Sequence, residues 1–359
     1  MIIPIKPWLE RASGVSGQLA DWGFPAVEGA EELRSGSIQS VLEVKAHHED
    51  KRMEFYHQPI LAREILAALE PVKGKQIFDG TLGGGGHSEV FLERGAHVVG
   101  CDQDAEALEY AERRLAQYGD CFLPVRGNFS DMDSLLRTLG IDRVDGVLMD
   151  LGVSSHQLDE PSRGFSFRQD GPLDMRMDNR ADFSARDLVN DWDEAEMVRI
   201  FRDYGEEKRA VRAAKEIVKA REQKAIETTL QLAEIIERAV PRVSGKHPAT
   251  RVFQAIRLAV NREMEVLEAA LNNSLEVLSE GGVLAVISFH SLEDRMVKRF
   301  MRRHSTPFID RPEWPEPREN LDYCLTLPTR RAISPSGAEI ETNPRARSAK
   351  LRVAVKLED

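Results

Sequence analysis

Asp79-Gly80-Thr81-Leu82-Gly83-Gly84-Gly85-Gly86-His87 decides the fold of this chain. The apolar run Gln76-Ile77-Phe78 precedes it, so an acidic residue ends a short strand, and four consecutive glycines open a helix from Ser88 to Glu93. Glycine has no Cβ, which lets the backbone press close to a ligand. The N–H groups at a helix start point outward unsatisfied and suit a polar or anionic group. A second acid, Asp102, ends the next apolar run, His97 to Cys101, at 102 − 79 = 23 residues beyond Asp79. In a doubly wound α/β fold that spacing sets a carboxylate on a ribose hydroxyl pair. A glycine run alone also makes plain turns. The order strand, loop, helix, strand, acid is what points to a ligand carrying an adenosine-like group.

The loop departs from the dinucleotide pattern G-x-G-x-x-G, because Ser88 stands where a helix-packing glycine is expected. It fits better the D-x-G-x-G-x-G loop of enzymes that use S-adenosylmethionine (SAM), which has no pyrophosphate to cradle.

With 359 residues the chain is long enough for one large or two smaller cores. Its 42% hydrophobic and 30% charged content describe a globular protein. No apolar run approaches the length of a membrane span, and the N-terminal residues lack the pattern of a secretory signal. Cys101, Cys121 and Cys324 are far apart and form no C-x-x-C pair, which suits a reduced, cytoplasmic compartment and offers no metal site. The net charge of −11 argues against a generally basic nucleic-acid binder. The charge is uneven, however. Gly205 to Arg262 carries 13 Lys and Arg against 7 Glu, and Arg295, Lys298, Arg299, Arg302 and Arg303 form a further basic cluster. Such stretches are either phosphate-binding surface or solvated helix faces.

Alternation organises the chain. Strands are expected at Gln76–Gly80, Val98–Asp102, Cys121–Asn128, Val144–Leu151, Val283–Phe289 and Leu351–Leu357. Helices are expected at 60–69, His87–Glu93, Ala105–Tyr118 and Met132–Leu139. Strand and helix in turn imply a parallel sheet with right-handed crossovers. The alternation stops after the fourth strand. A loop-like stretch, Asp159 to Asp182, leads to helices at Asp193–Tyr204, Glu206–Arg221 and Leu230–Val240, the last with a Thr228/Gln231 capping box. A long helix from about Thr250 to Leu278, stopped by Gly281-Gly282, leads back to the sheet. This divides the chain into a poorly ordered N-terminal extension (1–52), a first α/β part (53–160), an inserted helical domain for substrate recognition (161–248) and a second α/β part (249–359).

Ligands of open parallel sheets lie beyond the carboxyl ends of the strands. That rule gathers the glycine loop, Asp102, Asn128-Phe129 and Asp150-Leu151-Gly152-Val153-Ser154-Ser155. Phe129 lies against an adenine ring or is a core aromatic. Asp150 ends a buried apolar strand, where a carboxylate is costly without a ligand or hydrogen bonds. Enzymes that methylate exocyclic amines hold an acid, amide or serine there, to orient the amino lone pair toward an already activated methyl group.

Over about Tyr56 to Glu358 the chain resembles the RsmH (MraW) family of SAM-dependent N4-methylcytidine methyltransferases of small-subunit rRNA. The resemblance rests on His57-Gln58-Pro59-Ile60-Leu61, Asp79 through Ser88, Asp150 through Ser155 with Gln157-Leu158-Asp159, and Arg163-Gly164-Phe165-Ser166-Phe167. It continues through Asp170 to Met177, Tyr204-Gly205-Glu206-Glu207, His247 to Arg251, Ser288 to Arg295 and Asn343 to Ser348. It implies a class I SAM-methyltransferase, a Rossmann-like parallel sheet with an inserted helical domain. The activity it implies is methylation of the exocyclic N4 of a cytidine in the decoding region of 16S rRNA. By the same resemblance Gly85, Gly86 and His87 belong to the SAM loop, Asp102 is the ribose-binding acid, and Phe129, Asp150 and Gln157 are further SAM contacts; Gly84, a candidate cofactor contact beside them, departs from the family's pattern, as does the N-terminal extension. The partner implied is 16S rRNA within the small ribosomal subunit, with the oligomeric state open between monomer and homodimer.

Other motifs keep two readings each. His290 positions the base or takes a proton, or it is a structural residue at a helix start with Ser291 as N-cap and Asp294 closing the box. Asp174, Arg176 and Asp178 form a lid or an internally paired loop. His247, Arg251 and Arg257 are candidates for phosphate contact, and Arg345 and Arg347 contact phosphate or pin the tail to the sheet. The rival functions are a DNA amino-methyltransferase, which normally follows its acid with Pro-Pro-aromatic rather than Leu151-Gly152-Val153, and an RNA-binding protein with a relic SAM pocket. A covalent route through cysteine is disfavoured, since none of the three thiols sits at a strand end within a Pro-Cys motif.

Overall fold

Short apolar runs pair in parallel as β1 (Gln76–Asp79), β2 (His97–Asp102), β3 (Phe122–Arg126), β4 (Val144–Asp150) and β5 (Leu278–Ser288). In this computed structural model, residues 59–241, 245 and 247–358 are described. The expected extension over 1–52, together with His57 and Gln58, lies outside them. β6 (Phe308–Ile309) and β7 (Arg318–Glu319) make a separate hairpin, while β8 (Leu325–Thr326) and β9 (Lys350–Lys356) complete the main sheet. The order is β3-β2-β1-β4-β5-β9-β8, with β9 antiparallel to β5. This is the Rossmann-like class I sheet that the resemblance implies.

Strand side chains alternate between two cores, as the two-residue repeat of a pleat requires. Ile77, Val98, Leu148 and Ile287 face α1 (Ala62–Leu69), α2 (Gly86–Leu92) and α3 (Ala105–Leu115). Phe78, Val99, Met149 and Val286 face the other side, which α4 (Met132–Thr138) begins to cover. Being buried on both faces, the strands read as near-continuous apolar runs.

After β4 the chain leaves the sheet through α5 (Ser155–Asp159), α6 (Ala185–Asp191), α7 (Glu194–Asp203), α8 (Ala210–Arg221), α9 (Thr229–Ala239) and α10 (Ala249–Val260). From α6 onward these helices close a third core, which runs from Phe165 to Ile256. The chain returns along α11 (Glu263–Val277), and α12 (Ser291–His304) follows β5, both against the second face of the sheet. The short α13 (Gly337–Thr342) precedes β9. No helix of the described residues is long and apolar enough to cross a membrane.

Four expectations need correction. The single helix from Thr250 to Leu278 is two, because Arg262 takes φ 49°, ψ 39° and interrupts the ladder between α10 and α11. Asn261 supplies the reason. Its Oδ1 accepts from the Met177 N–H (2.8 Å), while its Nδ2 donates to Met175 O (2.8 Å) and Arg257 O (2.9 Å), so a tertiary contact replaces a helical turn. Gly281-Gly282 do not stop that helix, which ends at Val277. They lie inside β5, where the register shifts between the Val144–Leu278 and Gly146–Val283 pairs. The expected helix start at Glu206 moves to Ala210, because Glu206 has φ 49° and the Glu207 carboxylate accepts the Arg209 N–H (2.8 Å). The N-cap expected at Ser291 falls on His290, with Glu293 rather than Asp294 closing the box.

The loop from Pro161 to Asp174 folds back on itself. Pro172 bridges to Thr228, and the Thr229 N–H donates to Gly171 O (2.9 Å). A Cβ on Gly171 would run into the Pro161 carbonyl oxygen, a backbone atom that has no rotamer by which to yield. Gly171→Ala is therefore expected to destabilise the chain by about 2–3 kcal/mol, measured as a lowered urea midpoint with an unchanged slope.

Candidate active site

Three carboxylates end three adjacent strands: Asp102 on β2, Asp79 on β1 and Asp150 on β4. Asp79 is buried, with Oδ2 accepting from Ser88 Oγ (2.8 Å) and Oδ1 from the Thr81 N–H (3.2 Å). Burial pushes its pKa up to about 6 against those two hydrogen bonds. Asp102 accepts from the Gly83 N–H at Oδ2 (2.9 Å) and the Asp104 N–H at Oδ1 (2.9 Å). Its pKa too is pushed up to about 6, chiefly by burial, with those N–H groups opposing and the charges of Asp104 and Asp79 adding.

Asp150 differs from both. Its backbone N–H donates to Thr81 Oγ1 (2.6 Å), but its Oδ1 is buried without a hydrogen-bond partner. Burial raises it to about 6, opposed by His87 and supported by the charges of Asp79 and Glu293. A buried carboxylate oxygen left open costs free energy, so this atom marks a place where a donor is expected. His87 Nε2 lies 2.9 Å from Ile60 O, which can only accept, so Nε2 carries the hydrogen and Nδ1 faces Asp150 Oδ2 at 3.8 Å.

The glycine loop is held from both sides. Gly85 is the N-cap of α2 with φ 76°, and a Cβ there would lie 2.9 Å from Leu115 Cδ1. Arg114 donates to Gly84 O (3.1 Å) and, through Nη2, to Glu89 Oε2 (2.6 Å), so the turn is clamped to α2 and α3. Gly86 is the first helical residue, followed by His87. Beside the loop a cavity of about 40 Å³ is lined by Thr81, Gln103, Phe129, Leu151, Gly152 and Met177. Gln103 Nε2 donates to Met177 Sδ (3.4 Å). Thus Gly84, Gly85, Gly86, His87, Asp102, Phe129 and Asp150 are gathered at the carboxyl ends of the parallel strands.

The model of the MraW methylase family matches residues 54–357. The chain belongs to that family. Ribosomal RNA small subunit methyltransferase H of Carboxydothermus hydrogenoformans is 52% identical over 308 residues, covering 85% of this chain and 99% of that protein. The protein of the same name from Geobacter sulfurreducens is 49% identical over 311 residues, with 85% and 100% coverage.

Two of the methylase's expected site residues make internal contacts. Gln157 closes the capping box of α5, its Oε1 accepting from the Ser154 N–H (3.0 Å), and its Nε2 donates to Asp104 Oδ2 (3.0 Å). His290 Nδ1 accepts the Glu293 N–H (3.4 Å), and Nε2 lies 2.9 Å from Glu293 Oε1 without hydrogen-bond alignment. Glu293 in turn accepts the Phe289 N–H (2.8 Å). Burial pushes its carboxyl up, yet His290 and Arg257 outweigh it and hold the pKa below the usual value.

Sequence reasoning missed Thr81, and it missed Asp104 with Arg163. Asp104 is buried, accepts from Arg163 Nη1 (2.6 Å), and caps α3 through the Glu106 N–H (3.1 Å). Arg163 Nη2 reaches Arg176 O (3.1 Å) and Met177 O (3.3 Å), strapping the loop after β4 across the rim of the sheet. An Asp before a helix reads as an N-cap and nothing more, so its second task had no signal. Within the strap Arg176 pairs with Asp174 (2.7 Å) and Arg180 with Asp178 (2.7 Å). Arg257 is not a free phosphate contact: its Nε and Nη2 donate to the two carboxylate oxygens of Glu263 (2.8 and 2.9 Å). His247 lies 3.7 Å from Glu237, Arg251 3.9 Å from Glu207, and Arg345 pairs with Asp159 (2.6 Å).

Ser88→Ala removes the hydroxyl that faces the charged form of Asp79. It should cost about 1–3 kcal/mol at pH 8. The loss should shrink at pH 5, since the Asp79 pKa is raised and its charge is relieved as pH falls through about 6. Urea denaturation of both proteins at the two pH values measures the difference.

Proposed function

We propose that this methylase transfers the methyl group of SAM to the exocyclic N4 of a cytidine in the decoding region of 16S rRNA, within the small ribosomal subunit and in the cytoplasm. Membership of a methylase family and relatives named for small-subunit rRNA support the substrate class. The observation that carries the attacked atom is the open Oδ1 of Asp150 at the end of β4.

The donor set fits SAM. Asp102 already takes one backbone N–H on each oxygen, so both oxygens are fixed and keep lone pairs for a ribose diol. Phe129 offers an apolar wall for an adenine ring, and the turn Gly84-Gly85-Gly86 brings backbone rather than side chains to the methionine part. His87 Nδ1 stands 3.8 Å from Asp150 Oδ2, beside the carboxylate and beyond hydrogen-bond reach. Gln157 and Arg163 act through Asp104, bracing the segment that carries Asp102. The helical segment 161–248 serves as the surface that receives RNA.

SAM, when bound, supplies a methyl group activated by its sulfonium. The residues then have two tasks. Asp150 Oδ1 accepts an N–H of the target amine, turning the nitrogen lone pair out of conjugation toward the methyl group. As the N–C bond forms and the S–C bond breaks, the amine becomes acidic and gives a proton to Oδ1, whose pKa near 6 suits taking and returning it near neutrality. No cysteine is needed. Burial, then the charges of Asp102 and Asp79, push the buried Cys101 thiol far above its usual range, leaving no thiolate at that position for a covalent route.

Asp150→Ala should lower kcat about 10²–10⁴-fold with the fold retained, measured with labelled SAM and 30S subunits from a strain lacking the modification. Nucleoside analysis of the parent reaction should yield N4-methylcytidine, and label in another nucleoside would reject the attacked atom. SAM affinity should hold above pH 6 and fall below it, because protonated Asp102 loses acceptor strength. Calorimetry on Asp102→Asn should find weaker binding with that limb flattened.

A further inference from the structure

Helix α12 carries two carboxylates and both are engaged within the fold. Glu293 faces His290, and Asp294 pairs with Arg352 (2.8 Å) and Lys350 (3.2 Å). Its cations are treated differently. Arg295, Arg299 and Arg303 recur every four residues and so lie along one face of the helix, about 6 Å apart in rise. All three are exposed and line a groove of about 540 Å³ between α11 and α12, closed at one end by the last residues of α7. The floor of the groove is apolar and aromatic, with Tyr204, Met264, Met296 and Phe300.

The three guanidinium groups are available to a polyanion. Arg295 meets Glu206 at 3.3 Å and Arg303 meets Asp322 at 2.8 Å, both in exposed pairs. Exposed pairs are worth about 0–1 kcal/mol, so a phosphate can displace either carboxylate. Arg299 has no ion pair among the described residues. Asp203 and Glu268 stand on the opposite wall and confine a polyanion to the α12 side. Beyond the far end, the β6–β7 hairpin is tied to the helix by Asn320 Nδ2 donating to Arg303 O (2.7 Å) and brings Arg311 and Arg318 onto the Trp314 ring at 4.9 and 4.5 Å.

We propose that this groove is an exosite for the RNA substrate. A single-stranded stretch flanking the target lays its phosphates along Arg295, Arg299 and Arg303 and its bases over Phe300 and Tyr204. Evenly spaced arginines beside an aromatic floor are what a single strand requires, phosphate contact on one side and stacking on the other. On a chain of net charge −11, a local basic row also directs where a polyanion lands. Met264 supplies continuity with the chemistry, since it lines both this groove and the small cavity beside Thr81 and Phe129. RNA docked here would therefore lead away from Asp150 along α12. This inference rests on the rRNA reading above.

The test uses the full chain, 30S subunits lacking the modification, and KCl titrations. Arg299→Ala should raise KM about 5–10-fold at unchanged kcat and lower the log–log salt slope by about one. Arg299→Lys should recover most of the loss, since the charge is kept. The triple Arg295→Ala, Arg299→Ala, Arg303→Ala chain should lower the slope by about two to three while SAM affinity and melting temperature hold. A triple variant with the parent's KM and salt slope overturns the exosite, as does a loss confined to kcat. A change of oligomeric state with KM unaltered also overturns it and assigns the groove to contact between copies of the chain. If the parent leaves 30S subunits unmethylated, the rRNA reading fails first and takes this inference with it. A methylating parent matched by its triple variant rejects the groove alone.

Discussion

Charge without water is the constraint on which the rest of this molecule depends. Asp79, Asp102 and Asp150 end neighbouring strands, each desolvated and two of them raised further by the charge of Asp79. The fold keeps the first two by aiming N–H and O–H donors at them: Thr81 and Ser88 at Asp79, Gly83 and Asp104 at Asp102. Those donors exist only because the chain turns sharply after β1 and after β2. The glycine loop is thus as much a solvent for carboxylates as a seat for a cofactor. Asp150 receives no such donor on Oδ1, and the tension left there is what a substrate amine relieves.

Much of this was legible in the sequence, and for identifiable reasons. The β1 run, the glycines and the acid at Asp102 announce themselves because each is dictated by backbone geometry or burial within a few residues. The central sheet follows, since strands buried on both faces leave short apolar runs at Val147–Met149 and Val283–Ile287. The capping box at Thr228 is equally local.

What escaped is tertiary. The apolar stripe continues across Asn261 without a break, and only the contact with Met175 and Met177 shows why the helix must stop there. Arg257 looks like surface charge until Glu263 is brought beside it by that same break. The α6 helix was lost in a stretch of charge, with Ser184 and Asp187 forming a box that no apolar period advertised. At the site, Asp104 reads as an ordinary cap, and Gln157 stands out only as a SAM contact implied by resemblance. That the two side chains meet across 53 positions depends on where α5 lands after β4.

The route of the chain between β4 and β5 has a consequence for its synthesis. Leu151 N–H donates to Ile287 O, so two strands that touch are separated by the whole helical layer. A ribosome adding about 5–20 residues per second needs roughly 6–25 s to make the intervening segment. Throughout that interval β4 is an open edge, apolar on both faces, in a nascent sheet with nothing yet to pair with. The helical core from Phe165 to Ile256 is complete before β5 emerges, so it can condense first and shorten the loop that must close. A fault in helical packing would thus surface as aggregation of the half-made sheet during translation, well before any defect in chemistry could be measured.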